Sequence, residues 1–206
     1  MKRSSPWCWI GVVGLLMGCG GPLDEEPAPE APLETPQERV EQTIVRELPD
    51  GSLVTETTSI TVEEQRAQLA LRDEYVRKLR SGVSQQDLDD LLIDSGCAGS
   101  SLWLFAGTNQ TGRQLCLYKQ VGANYAWLDL GTVLYLYVPP IFLTWAGRVR
   151  SLYSGVHPGS LQSCTPTLCY THFYQNFGAY QRIDSVPATD PFGGNLVLNQ
   201  AYLYTP

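Results

Sequence analysis

The chain has 206 residues and a formal net charge of −7, and the charge is unevenly distributed. Residues 19–96 contain 18 acidic and 7 basic residues, whereas residues 97–206 contain 3 acidic and 5 basic ones. An acidic segment of this length argues against nucleic acid and anionic lipid surfaces as partners. All five phenylalanines and ten of the eleven tyrosines follow residue 96, so we expect the hydrophobic core there.

The first 18 residues have the composition of a secretory signal peptide. Lys2 and Arg3 precede an apolar run over residues 7–17 that is too short to span a bilayer as a stable helix. The run ends in Leu16-Met17-Gly18-Cys19, which resembles the bacterial lipobox. In lipoproteins with this motif, the signal is removed before the cysteine, and acyl chains such as palmitate are attached to it.

The lipobox resemblance implies cleavage between Gly18 and Cys19 and a lipid anchor on Cys19, which would hold the mature protein at a membrane in the cell envelope. Gly20 follows the cysteine, where similar lipoproteins retained in the inner membrane carry an aspartate, so the outer membrane is favoured. Two alternatives remain open: an ordinary signal peptide with a cysteine near its end by chance, and an uncleaved anchor.

Residues 19–41 are predicted to form a disordered tether. Prolines alternate with Asp and Glu over most of this segment, and few apolar side chains are present. Such a composition keeps a chain extended and solvated. The tether would hold the folded part of the protein away from the membrane.

Residues 42–96 are predicted to form a hairpin followed by two helices. Two β-rich runs, residues 43–48 and 53–58, flank the turn Pro49-Asp50-Gly51. Thr61-Val62-Glu63-Glu64 has the pattern of a capping box, which predicts a helix from there to about Arg80.

The predicted helix carries an apolar stripe in which Val62, Leu69 and Val76 recur every seven residues. A second, shorter helix is predicted from Ser84 to Gly96. We expect this helical pair to cover one face of the C-terminal domain; the alternative is that the stripe binds a partner.

Residues 97–206 are predicted to form an all-β sandwich. Short runs rich in aromatic and β-branched residues are separated by clusters of Gly, Asn, Pro and Ser. We find no helical periodicity after Gly96. The expected fold class is therefore mainly β, with the hairpin and the two helices preceding the sandwich.

The segment from Leu102 to Leu117 resembles the opening hairpin of a βγ-crystallin-type Greek key. In that family an aromatic residue lies seven positions before a glycine with positive φ, and Phe105 and Gly112 have this spacing. Residues 145–152 are similar to the later family segment that ends in an inward-facing serine, and residues 182–186 look like a second copy. The same pattern occurs in bacterial proteins grouped with a Streptomyces metalloproteinase inhibitor, so the resemblance implies a Greek-key sandwich and inhibitor-like relatives.

The chain departs from the family pattern at several positions. Gln110 stands where a second aromatic is usual, and residues 134–144 look inserted between the halves of the first key. Calcium-binding members place Asn or Asp just before the serines, to supply oxygen ligands. Here those positions hold Ala146 and Gly147 in one copy and Gln181 and Arg182 in the other, so we expect no calcium site.

Four cysteines remain after Cys8 and Cys19 are set aside: Cys97, Cys116, Cys164 and Cys169. Four cysteines allow three pairings, and the sequence does not choose among them. We expect Cys97 with Cys116 and Cys164 with Cys169, because each pair brackets a local β element and an oxidising compartment favours disulfides. The alternative, a zinc site using His157 or His172, lacks a Cys-x-x-Cys pair.

The sequence predicts no catalytic residues and no cofactor. It has no nucleophile elbow, no His-Glu-x-x-His helix and no phosphate-binding loop. The carboxylates after residue 97 are Asp129, Asp184 and Asp190, and they lie in separate predicted loops. We therefore expect a protein that is not an enzyme.

Three functional hypotheses follow. The first is a lipid-anchored protein whose β-domain binds a macromolecule or has a structural role. The second, which depends on the family resemblance, is a proteinase inhibitor that inserts Val138-Pro139-Pro140-Ile141 into a protease cleft. Our expectation is that these four residues are instead ordinary strand and turn residues of the core. The third is a carbohydrate- or peptidoglycan-binding module that uses Trp103, Trp127 and Trp145 as stacking platforms.

Overall fold

A computed structural model describes residues 37–84, 88, 96–119, 125–165 and 169–204, with backbone only for 125–127 and 169–173. The predicted signal peptide, the lipobox and most of the tether lie outside these residues, as does most of the second predicted helix. The described part contains one α-helix, one 3₁₀ turn and twelve strands. In chain order these are β1 Arg39–Glu47, β2 Leu53–Thr61, α1 Val62–Arg80, the 3₁₀ turn Gly96–Gly99, β3 Leu102–Phe105, β4 Gln114–Tyr118, β5 Tyr125–Asp129, β6 Leu134–Val138, β7 Ile141–Thr144, β8 Ser151–Ser154, β9 Gly159–Cys164, β10 Cys169–Phe177, β11 Arg182–Ile183 and β12 Gln200–Tyr204.

Most strands belong to two packed sheets, which confirms the prediction of a mainly β fold. The first sheet has the order β11-β8-β3-β4-β1-β2, and the second has the order β10-β9-β12-β5. Their facing side chains form the larger core cluster, to which Leu104 and Leu152 contribute from the first sheet and Leu161 and Leu203 from the second. Both layers thus bury one face against the other, as a sandwich requires.

Strand β3 shows how the first sheet buries both of its faces. Leu102 and Leu104 belong to the core between the sheets, whereas Trp103 and Phe105 belong to a second cluster beneath α1. Successive side chains of a strand point to opposite faces, so a four-residue run that is apolar throughout fits a strand covered on both sides.

The predicted N-terminal hairpin is part of the first sheet. Its turn at Pro49-Asp50-Gly51 is as predicted, but β1 begins at Arg39, inside the segment assigned to the tether. Strand β1 also pairs in parallel with β4, with Gln42 opposite Gln114. The hairpin and the C-terminal strands therefore share one sheet across the predicted domain boundary at residue 97.

Helix α1 begins and ends where the sequence predicted. The Thr61 hydroxyl accepts a hydrogen bond from the Glu64 amide at 3.0 Å, and the Glu64 carboxylate accepts one from the Thr61 amide at 2.6 Å. Ser81 caps the C-terminus, and Gly82 follows with φ of +76°. The helix covers a face of the first sheet, as expected, and buries Val76 with Trp103. No helix in the described part of the chain has both the length and the apolar character needed to cross a membrane.

The loop between β3 and β4 is hydrogen-bonded to strand β8 and to Asp184. Gly112 has φ of +75°. Gln110, although polar, is buried: its amide donates to Ser151 Oγ at 2.9 Å, and its side chain donates to the Ile183 carbonyl at 3.0 Å. Ser151 Oγ in turn donates to the Gly107 carbonyl at 2.7 Å. Hydrogen bonds thus hold the loop where the family pattern has an aromatic side chain.

Candidate functional site

The hairpin formed by β6 and β7 is the most unusual surface of the described residues. Its two strands pair with each other and belong to neither of the larger sheets. Tyr137, Val138, Ile141 and Phe142 are between 51 and 68% exposed. The rings of Tyr137 and Phe142 stack with their centroids 4.6 Å apart. Contiguous exposed apolar side chains of this size mark interaction sites on soluble domains.

The predicted segment Val138-Pro139-Pro140-Ile141 forms the tip of this hairpin. All four residues are exposed, and the peptide bond between the two prolines is cis. Our expectation that they are core residues was therefore wrong. The two large sheets already cover each other's inner faces, so no layer remains to cover a hairpin that leaves the sandwich.

The base of the hairpin is fixed by Tyr135. Its ring meets the buried Trp145 edge-on, with centroids 5.2 Å apart. The guanidinium groups of Arg113 and Arg148 lie 5.0 and 4.9 Å from the centre of the same ring. Arg113 also donates to the Tyr135 carbonyl at 2.6 Å and forms an ion pair with Glu41. The tip is thus presented on an anchored support, which lowers the entropy lost on binding.

Few charges approach the hairpin tip. The sequence from residue 130 to residue 147 has no Asp, Glu, Lys or Arg. Arg148 is used at the base, where its Nε donates to the Thr144 carbonyl at 2.9 Å. The surface therefore offers aromatic and aliphatic contacts and little that would bind an ion.

Two of the three tryptophans proposed as sugar platforms are not on the surface. Trp103 and Trp145 are buried, and the side chain of Trp127 lies outside the described residues. Stacking on a sugar needs an exposed ring face, which neither buried tryptophan offers.

The predicted disulfide between Cys97 and Cys116 is present, with Cα atoms 5.8 Å apart. It ties the 3₁₀ turn to β4 beneath α1. Cys164 also forms a disulfide. The strand register places Cys169 opposite Cys164, which is compatible with the second predicted pair, although the Cys169 side chain lies outside the described atoms.

The candidate acid–base residues each serve a local structure. The Asp129 carboxylate accepts from the Gly131 amide at 2.7 Å, Asp184 accepts from Arg182 at 2.8 Å, and Asp190 accepts from the amides of Phe192 and Gly194. Asp129 and Asp190 thus cap their own turns, and Asp184 forms an ion pair with the nearby Arg182.

His157 is held by a backbone contact. Its Nδ1 lies 3.0 Å from the Tyr204 carbonyl, and burial lowers the pKa of the imidazole. The side chain of His172 is outside the described atoms. Within the part of the chain that the structure describes, no three His, Cys, Asp or Glu side chains gather as metal ligands would.

One buried charge was missed by the sequence analysis. Arg72 on α1 is 2% exposed and packs in the cluster with Trp103 and Tyr153. A signal for it was available: Gln65 and Arg72 lie three residues after Val62 and Leu69, at the fourth position of the same seven-residue repeat. Polar side chains at that position face inward together with the apolar stripe.

Searches of protein-family models, of curated proteins and of solved structures found no match to this chain.

Proposed function

We propose that the chain is an exported, lipid-anchored binding protein without catalytic activity, and that its β6–β7 hairpin inserts into an apolar cleft of a protein partner. The observation that carries this proposal is the exposure of Tyr137, Val138, Ile141 and Phe142 on one anchored hairpin. Aromatic and aliphatic anchors on a rigid element are typical of the centre of a protein–protein interface.

A protein partner suits this surface better than a glycan. Tyr137 and Phe142 cover part of each other's ring faces by stacking, and the tip between them is made of Val, Pro and Ile. Sugar binding needs several side-chain hydrogen bonds in addition to a stacking face. An apolar protein cleft needs only a matching shape.

The proposal also includes a lipid anchor on Cys19 and a βγ-crystallin-like fold. Cys19 would carry the acyl chains, and the outer membrane is the favoured location. The Phe105–Gly112 spacing, the positive φ of Gly112 and the buried Ser151 support a βγ-crystallin-like Greek key. Ser185, in the segment similar to a second copy, is exposed, so the support comes from the first copy alone.

Site-specific photo-crosslinking of the full-length chain in a bacterial host tests the binding surface. A photoreactive residue at position 142 should give a discrete protein adduct, and the same residue at position 192 should not. Phe192 is a matched control, because it is an aromatic residue, 87% exposed, outside the hairpin. Equal labelling from both positions would refute the proposed surface.

Intact-mass analysis of the same chain from the membrane fraction tests the anchor. We expect an N-terminus at acylated Cys19. A mature chain that begins elsewhere, or that carries no acyl mass, would rule out the lipid anchor and leave the hairpin proposal to the crosslinking result.

Inhibition of a proteinase is a second candidate, favoured by the exposure of Val138-Pro139-Pro140-Ile141 at the tip. A panel that includes metalloproteinases and serine proteinases should contain at least one enzyme that the chain inhibits. Ile141→Asp should raise the inhibition constant tenfold or more, because a charge would enter an apolar cleft. Unchanged inhibition by this variant would exclude the hairpin as the inhibitory element.

A further inference from the structure

The buried guanidinium of Arg72 has no carboxylate partner among the described residues. Its Nη1 donates to the carbonyl oxygens of Ala98 at 3.2 Å and Ser100 at 2.9 Å, and the group lies over the rings of Trp103 and Tyr153. Its Nη2 is buried and has no hydrogen-bond acceptor in the part of the chain that the structure describes. A buried donor without an acceptor is costly, and a buried charge without a counterion is more so.

A cavity of about 100 Å³ adjoins this guanidinium. A water molecule needs roughly 10–15 Å³ of such space, so the cavity has room for a group larger than one water. Arg72, Tyr75, Ser100 and Tyr180 contribute polar groups to its wall. Val156, which is 43% exposed, also lines it, so the cavity reaches the protein surface.

Gly155 keeps the space beside Nη2 open. A Cβ atom at this position would lie 3.1 Å from Nη2 and 3.0 Å from the carbonyl oxygens of Ser100 and Ser101. Any side chain there would crowd the free donor edge of the guanidinium. The structure thus combines an unused cationic donor with a small adjoining cavity.

We propose that this cavity, which we name the Arg72 pocket, binds a carboxylate group that accepts hydrogen bonds from Arg72 Nη2. Arg recognises planar carboxylates well, because its N–H donors match their two oxygens. The pocket offers one cation and little volume, which suits a monoanion better than a phosphate dianion. The carboxylate could belong to a small organic acid or to the C-terminus of a peptide, with only that end inside the pocket.

The electrostatics agree with this assignment. Burial lowers the pKa of the Arg72 guanidinium to about 10, so the group remains charged at neutral pH. Burial, and then the neighbouring Tyr75 hydroxyl, raise the pKa of Tyr180 to about 12, so this phenol is neutral at neutral pH and does not repel an anion. The proposal is independent of the hairpin and of the lipid anchor.

Thermal unfolding of the full chain in sodium acetate, compared with sodium chloride at equal ionic strength, tests the pocket. Ligand at ten times its dissociation constant should raise the Tm by about 3 to 5 °C in a protein of this size. The rise should saturate with acetate concentration and should be confirmed by calorimetric titration. Arg72→Met should abolish it, and Arg66→Met, which removes an exposed charge from the same helix, should not.

Arg72→Met is expected to fold, because an apolar side chain in place of an uncompensated buried charge is often neutral or stabilising. If it does not fold, Gly155→Ala gives a second test, since it keeps the charge and should weaken the acetate response by filling the space beside Nη2. A saturable acetate response that persists in the Arg72 variant, or that Gly155→Ala leaves unchanged, would overturn the proposal.

Three further probes identify the source of the carboxylate. Trialanine with a free C-terminus and trialanine amide differ only in the C-terminal carboxylate. A rise in Tm with free trialanine but not with its amide indicates a peptide ligand. A rise in Tm with acetate but with neither peptide indicates a small acid. Either result supports the pocket. If phosphate or chloride raises the Tm as much as acetate does, the site is not a carboxylate site.

Discussion

Two of the β-hairpins in the described residues, β1–β2 and β6–β7, meet solvent in opposite ways. In the first, β1 pairs with β4, and the outer strand β2 exposes the polar run of residues 55–59 after Leu53 and Val54. In the second, β6 and β7 pair only with each other, and the exposed residues are aromatic and aliphatic. Polar side chains on an edge strand are a common protection against unwanted pairing.

The difference lies in how exposed apolar residues are grouped, because single ones such as Phe192 also occur outside the second hairpin. Where the chain exposes a long strand at the edge of its sheet, it uses Thr, Ser and Glu over most of the length. The apolar surface of β6 and β7 is concentrated on one hairpin whose base is anchored by Arg113, Arg148 and Trp145. This contrast supports a binding role for the second hairpin and a structural role for the first.

Trp145→Ala should have the largest effect on this comparison, because it removes the support of the second hairpin. A fully buried Trp replaced by Ala costs about 3–5 kcal/mol of unfolding free energy. Urea denaturation measures the loss, and hydrogen exchange should show faster exchange in β6 and β7 than in β1 and β2. A loss below about 1 kcal/mol would mean that Trp145 is not the support of the hairpin.

The same substitution in both hairpins sharpens the comparison. Val45 in β1 is fully buried and Val138 in β6 is 51% exposed. We expect Val45→Ala to lower the unfolding free energy by about 2–3 kcal/mol and Val138→Ala to change it by less than about 0.5 kcal/mol. Equal losses in urea denaturation would show that the tip is covered in solution.

A loss smaller than that of Val45→Ala is expected at the junction of β2 and α1. Thr61→Ala should cost about 1 kcal/mol through loss of the helix cap. The hydrogen bond from the Thr61 amide lowers the pKa of the Glu64 carboxyl below its ordinary value of 4.5. A lowered pKa in the folded state means that the stabilisation is present above the unfolded-state pKa and is lost as the pH falls through the folded-state pKa.

The stability difference between the wild type and Glu64→Gln should therefore be constant above about pH 5 and should shrink at lower pH. Denaturation at several pH values measures it. A difference that grows on acidification would contradict the capping geometry.

The features predicted from the sequence depend on local signals. The Pro49-Asp50-Gly51 turn and the Thr61–Glu64 capping box each act within a few residues, and both are present in the structure. The parallel pairing of β1 with β4 gives no such signal, because nothing in β1 specifies which distant strand it will meet. The predicted domain boundary at residue 97 followed from charge composition, which does not report strand pairing.

The exposure of the hairpin tip was not predictable for a related reason. Apolar residues in a strand are buried only if another layer covers them, and the number of layers depends on the whole topology. Arg72 shows the converse, since a charged residue on a helix is expected to face solvent. Here the helix packs on aromatic rings, and the guanidinium lies against them. The only sequence pattern that indicates this burial is the seven-residue repeat, in which Gln65 and Arg72 occupy the same position.

The parallel pairing of β1 with β4 also constrains the order in which the protein can fold. Glu41 and Arg113, which form an ion pair beside these strands, are 72 residues apart in sequence. Strand β1 can pair with β2 early, but its pairing with β4 must wait until more than half of the chain has been synthesised, and contacts of such long range are slow to form. For a chain that we propose is exported, this delay means that the first sheet would close only after its C-terminal strands have followed across the membrane.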